Sequence, residues 1–243
     1  PQRAVEYNGE VFIPDEGANK IWRLVKDGAP GTYKITGQID VLAGPRRIAI
    51  RDSILFTIHS TGTLLTAHQI PASSNGTALP PIASVSILPP EFRGENVSGY
   101  EIVISETNDQ FPVPLIYVST GTLGPQNFDE RGDIIAVYEF KTGTAVAGDT
   151  TSTSTATATA SEIEKRDDVS WIKGEFILHS RTFTGLRQIR GMAIGKQADG
   201  VLVAGGAGGG GVVVYHRTDQ GRNLTLGARK ELPMFLYRTS FTF

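Results

Sequence analysis

"VLVAGGAGGGGVVVYHRTD" (Val201–Asp219) decides how the chain is read, because six glycines fall in the seven residues Gly205 to Gly211. A phosphate-binding glycine loop sits between a strand and a helix, whose N-terminal amides attract the anion. Here the glycines are followed by Val212-Val213-Val214-Tyr215, a β-branched and aromatic run that favours an extended chain. There is no Gly-Lys-Ser/Thr ending. The run therefore reads as a link between two strands.

Three other segments share that layout. "VFIPDEGANKIWRL" (Val11–Leu24), "LFTIHSTGTLLTAHQI" (Leu55–Ile70) and "IYVSTGTLGPQNFDERGDIIAVYEF" (Ile116–Phe140) each hold an apolar strand, a small or polar turn and a second strand. Shorter strands precede them: "RAVEY" (Arg3–Tyr7), "GPRRIAI" (Gly44–Ile50), "YEIVIS" (Tyr100–Ser105) and "RGMAI" (Arg190–Ile194). One more strand follows each hairpin, in "TYKITGQIDVL", "IASVSILPP", "GEFILHSRTF" and "NLTLGARKEL". Helical periodicity is nearly absent. Four strands repeated four times is the blade plan of an all-β β-propeller with four-stranded antiparallel blades. The blades are expected at about 1–43, 44–98, 99–187 and 188–234, with "FLYRTSFTF" (Phe235–Phe243) as a closing strand. A β-sandwich is the competing architecture. Residues Thr142–Ser161, poor in large apolar side chains, are expected to form a mobile insert, and the charged run Glu162–Asp168 a solvated one.

With 243 residues, 40% hydrophobic and 20% charged, the chain can bury a sizeable core. Its formal net charge of -2 gives no reason to expect a nucleic acid or an anionic membrane as partner. No apolar run reaches the length of a membrane-spanning helix. The absence of cysteine excludes disulfides, thiolate metal sites and cysteine nucleophiles. Acceptor triplets for N-glycosylation begin at Asn75, Asn96 and Asn223, which leans towards a secreted protein, with the cytoplasm as the alternative.

"GPRRIAI", "YEIVIS", "GDIIAVYEF" (Gly132–Phe140) and "IRGMAI" (Ile189–Ile194), with "PDEGANKIWRL" (Pro14–Leu24) and "GVVVYHRTD" (Gly211–Asp219), resemble the lactonase-type seven-bladed propellers. That family includes fungal carboxy-cis,cis-muconate cyclases and 6-phosphogluconolactonase-like proteins. The order of these motifs along nearly the whole chain carries the likeness. It implies a parent ring of seven blades, so that about three further blades come from elsewhere, including a second polypeptide segment. A compact ring of four or five blades is the alternative.

In a propeller, equivalent positions of successive blades converge on one funnel. Arg46, Glu101 and Arg190 occupy first-strand positions, while Asp15, Glu16, His59, Ser60, Thr120 and Gly205 stand where second strands end. Two arginines at one mouth suit a small carboxylated molecule or a lactone, because a guanidinium fork matches a carboxylate. The resemblance implies that Arg46 matches an active-site arginine. It also places Ser60 and Gly121 where the family has an acid and a further arginine, so the cyclase set is incomplete. Arg46 and Arg190 are then the substrate-binding candidates, and His59 and Glu101 the catalytic ones. His68, His179 and His216 read as structural. No His, Asp and Glu cluster has metal-ligand spacing, and no cofactor is expected. A lactonase or cycloisomerase, a propeller that only binds a small ligand, lipid or glycan, and a rim-binding interaction protein are the three functional readings.

Overall fold

The computed structural model describes residues 3–41, 43–73, 80–92, 96–124, 128–144, 172–195 and 200–231. The expected closing strand, most of the Thr/Ser-rich insert, the charged run after it and Asn75 lie outside the described residues. Those described form four four-stranded antiparallel sheets, each ordered as the chain runs.

The first sheet holds β1 (Val5–Tyr7), β2 (Glu10–Asp15), β3 (Lys20–Lys26) and β4 (Tyr33–Asp40). The second holds β5 (Pro45–Arg51), β6 (Ile54–His59), β7 (Leu64–Gln69) and β8 (Ala83–Ser86). β9 (Val97–Ile104), β10 (Leu115–Thr122), β11 (Ile134–Thr144) and β12 (Ile172–Phe183) form the third. β13 (Arg187–Ile194), β14 (Val201–Gly209), β15 (Val212–Thr218) and β16 (Asn223–Lys230) form the fourth. This is the all-β propeller-type architecture expected from the repeat, and no α-helix occurs among the described residues.

Alternation along the strands decides which sheets touch. In β10, Ile116 and Val118 pack with Phe56 and Ile58 of the second sheet, whereas Leu115 and Tyr117 pack with Leu202 and Val213 of the fourth and with Leu186 just ahead of it. Leu55 turns the other way from Phe56 and joins Phe12, Ile21 and Ile39 of the first sheet. The middle sheets are thus covered on both faces, which is why β6 and β10 are buried at every position. The outer strands of the end sheets are more open, with Ile35 on β4 at 61% exposure and Leu226 on β16 at 53%.

The glycine run departs from expectation in one respect. β14 continues through Gly209, so only the last two glycines form the turn. Side-chain-free backbone is needed there because a Cβ on Gly206 would sit 2.4 Å from the Gly209 carbonyl and 2.9 Å from that of Arg187. A Cβ on Gly210 would lie 2.6 Å from the Gly185 carbonyl. The run lets two stretches of backbone close on each other. Likewise β11 extends to Thr144, two residues beyond the expected start of the insert, because it stays paired with β12 to that point.

Candidate functional site

The first strand of each sheet lies next to that of its neighbour, β5 against β9 and β9 against β13. Three of these inner strands carry an extra residue at the same level. Pairing of β5 with β6 jumps from Pro45↔His59 to Arg47↔Ile58, leaving Arg46 without an opposite number. Between Thr120↔Gly99 and Val118↔Ile102, both Tyr100 and Glu101 face the single Ser119. Between Ile189↔Gly206 and Gly191↔Gly205, Arg190 is the extra residue. A β-bulge bends its strand and re-aims a side chain, and bulges concentrate beside functional sites.

The bulges bring two groups together. Arg46 of the second sheet and Arg190 of the fourth both approach Tyr100 of the third, with guanidinium carbons 3.8 and 5.2 Å from the ring centroid. Arg3, Arg47 and Glu101 make the second group, with Glu101 oxygens 3.9 Å from an Arg3 nitrogen and 3.6 Å from an Arg47 nitrogen. Each group draws on three successive sheets. Ser119 ties the middle bulge to the next sheet, accepting from the Glu101 amide at 3.0 Å and donating to the Ile189 carbonyl at 2.8 Å.

Tyr100 is 2% exposed, and among the described residues its hydroxyl makes no hydrogen bond; neither does the buried Arg190 Nε. Arg190 otherwise donates to Gln188 Oε1 at 3.0 Å. Such groups are costly to bury unless something completes them. Gly121 makes the arrangement possible, since a Cβ there would lie 2.1 Å from the Tyr100 ring. The place where the family resemblance calls for an arginine is filled by an aromatic ring from the adjacent strand.

Glu101 is buried and its carboxyl is pushed above the usual range. Burial is the main cause; Arg47, the Ile102 amide and Arg3 pull the other way. Arg47 is lowered chiefly by its own burial, with Glu101 opposing. Arg47, not Arg46, is therefore the guanidinium that accompanies Glu101.

His59 is fully enclosed. Its Nδ1 donates to the Ala43 carbonyl, and its Nε2 accepts from Thr66 Oγ1 at 2.8 Å. Burial lowers its proton affinity, only partly offset by the Ala43 bond. Both His59 nitrogens are thus engaged, just ahead of the Arg46 bulge. Ser60 donates to the Gly44 carbonyl at 3.2 Å, and Thr120 accepts from the Ile134 amide at 3.0 Å. Asp15 is taken up by the Trp22 indole and the Ala18 amide, whose hydrogen bonds lower its carboxyl. His68 is buried on β7, His179 bonds Glu139 at 3.1 Å, and His216 is exposed on β15. Asn96 and Asn223 are exposed.

Sequence reasoning passed over Tyr100, Arg47 and Arg3. The available signals were the doublet Arg46-Arg47 and an aromatic directly before Glu101. Among the described residues no group of acidic and histidine side chains could hold a metal ion.

No protein-family model and no curated protein matches the sequence. Solved structures do. A protein from Lactobacillus plantarum superposes with a TM-score of 0.65 at 13% identity, over 94% of this chain and 54% of its own. A proposed 6-phosphogluconolactonase from Bacteroides uniformis gives 0.61 at 14%, over 95% and 55%. The periplasmic gluconolactonase PpgL of Pseudomonas aeruginosa gives 0.62 at 10%, over 94% and 53%. This chain thus spans little more than half the length of the structures it resembles, and at such identities the likeness concerns architecture alone. In fold, its four sheets are blades of a β-propeller, arranged like those of the structures it resembles.

Proposed function

We propose that the bulged inner strands form the ligand mouth of a lactonase-like propeller that takes a small carboxylated molecule or lactone. The observation that carries this reading is the convergence of Arg46 and Arg190, from two different sheets, on the Tyr100 ring. A guanidinium stacked on an aromatic face keeps its in-plane N–H donors free for an anion. Arg46 has no hydrogen-bond or carboxylate partner among the described residues, so it has donors to offer. A substrate carboxylate would bridge Arg46 and Arg190, with the Tyr100 hydroxyl as a third polar contact.

Glu101 is the proton-handling group of this reading. Its raised proton affinity brings it nearer the pH at which an acid can both hold and release a proton. In a carboxymuconate cyclase-like isomerisation, a substrate carboxylate oxygen bonds to one alkene carbon and the neighbouring carbon takes the Glu101 proton. In lactone hydrolysis, Glu101 would instead take a proton from the attacking water. The remaining blades of the ring come from outside this chain in this proposal, and the glycosylation triplets at Asn96 and Asn223 favour a secreted protein.

The embedding of Glu101 favours a second reading, in which the mouth binds without turnover: its side chain is 5% exposed and faces two arginines. Turnover of carboxymuconate and of simple lactones by the full-length protein separates the two. The enzyme reading expects activity that falls by two or more orders of magnitude in Arg46→Ala. Binding without turnover leaves the ligand mouth and removes the catalysis, and neither binding nor turnover rejects the proposal.

A further inference from the structure

Arg190 is one of the two cations of the proposed mouth, and its own support is distinctive. Its NH2 group donates to Gln188 Oε1 at 3.0 Å, and its guanidinium lies over the Tyr100 ring. Among the described residues, neither partner carries a net charge. A carboxylate in place of the Gln188 amide would hold the guanidinium at least as firmly, but would cancel its charge.

Gln188 is itself constrained. Its φ of 53° lies in the left-handed region, which side chains other than glycine adopt at a cost. Such a residue persists where its surroundings dictate it, and these positions gather at binding sites. The buried Asp133 carboxylate supplies the first constraint. Its Oδ2 accepts the Gln188 amide at 2.6 Å, while its Oδ1 accepts the Thr122 hydroxyl at 2.8 Å. The Asp133 amide also donates to the Leu186 carbonyl at 2.8 Å, and its carbonyl accepts the Thr184 amide at 3.0 Å. One residue thereby clamps the third sheet to the segment that leads into the fourth. Two glycines supply the second constraint. A Cβ on Gly208 would lie 3.2 Å from the Gln188 carboxamide carbon, and one on Gly121 would lie 3.0 Å from its Cα.

We propose that Gln188 is the specificity-determining residue of the mouth, orienting Arg190 through an uncharged amide so that the site takes an anion, and that Asp133 is its positioning residue. This inference rests on the reading of Arg46 and Arg190 as the carboxylate site.

cis,cis-Muconate and its neutral diamide share a skeleton and differ in charge. In calorimetric titrations of the full-length protein, the parent should prefer muconate. Gln188→Glu keeps the length and the hydrogen bond. It should lower muconate affinity roughly tenfold or more and leave the diamide within about threefold. Gln188→Met, which lacks the acceptor, should fall between the parent and Gln188→Glu for muconate. Asp133→Asn tests the anchor: a protein that is merely less stable binds both probes less and keeps their ratio, whereas a misplaced Arg190 lowers the ratio. The ratio should fall in Asp133→Asn, and should fall no further when Asp133→Asn is added to Gln188→Met. An unchanged ratio overturns the role of Asp133, and Gln188→Glu decides the specificity claim whether or not Asp133→Asn folds. Muconate binding that Arg46→Ala abolishes but Gln188→Glu leaves intact overturns this inference and spares the mouth. No preference for muconate in the parent, or binding indifferent to Arg46→Ala, removes the mouth and this inference with it.

Discussion

The Arg46 guanidinium lies 3.8 Å from the centre of the Tyr100 ring, although the two belong to different sheets. Arg190 reaches the same ring from the third sheet of the trio at 5.2 Å. One aromatic side chain therefore keeps two like charges together, each favourably placed against the negative face of the ring. The ring is a structural spacer and, in the proposed function, also the wall of the ligand mouth, and these roles respond differently to substitution.

Tyr100→Phe separates them. The hydroxyl is buried without a partner, and leaving such a group unpaired costs about 1–3 kcal/mol. Its removal should raise the urea midpoint of the unliganded protein while weakening carboxylate binding. Tyr100→Leu, which also deletes the ring, should lower both. A Phe variant less stable than the parent would mean that the hydroxyl is satisfied in solution.

Gly121→Ala tests the spacing. The new Cβ would stand 2.1 Å from the Tyr100 ring and 3.0 Å from the Gln188 Cα, and the backbone atom can yield little. Overpacking of this kind costs about 1–3 kcal/mol. Because the ring is what moves, carboxylate affinity should fall together with stability. Gly143→Ala, with nothing within 4 Å of its Cβ, is the matched control and should leave both unchanged.

The repeat was legible because each blade spends its residues alike: an inner strand, a buried hairpin, an outer strand. Arg46, Glu101 and Arg190 could be singled out for the same reason, since they hold corresponding places. The bulges could not be seen. One extra residue in an inner strand looks the same in sequence as a shift of strand boundary, yet it decides that Arg46 meets Tyr100 while Arg47 meets Glu101. The surroundings of His59 could not be seen either, because a histidine at a strand end looks accessible. Its enclosure depends on Ala43 and Thr66, which pairing alone brings near. The end of β14 was hidden because glycine carries no alternation to read, and its role there is close backbone approach.

Glu101 should make the protein less stable as pH rises. Its carboxyl holds a proton more tightly when folded than the ordinary value of 4.5, chiefly through burial. Below that value both states are protonated and the native state carries no penalty. Above it the unfolded chain releases its proton first, so the native state binds more protons and stability declines until the folded carboxyl has also ionised. Unfolding free energies between pH 4 and pH 8 should show this decline in the parent and a flatter profile in Glu101→Gln. Parallel profiles would place the Glu101 carboxyl at its ordinary range and remove the basis for its proton-handling role.

His59 should act in the opposite direction. Burial lowers its proton affinity below the ordinary 6.5, so on acidification the unfolded chain is protonated first and the native state loses stability. The structural reason is that Nε2 accepts the Thr66 hydroxyl at 2.8 Å, and an imidazolium has no lone pair with which to do so. His59→Gln loses fitted hydrogen bonds and should be less stable at pH 7.5 by roughly 1–3 kcal/mol. It carries no titrating group, so its deficit relative to the parent should shrink by pH 5.5. The same substitution loosens the Ala43 carbonyl that leads into the Arg46 bulge, so carboxylate affinity at pH 7.5 should fall without any change in the pH at which activity is greatest. A shifted optimum would instead restore His59 to the reaction, whereas an unshifted one leaves it as the residue that holds Arg46 in place.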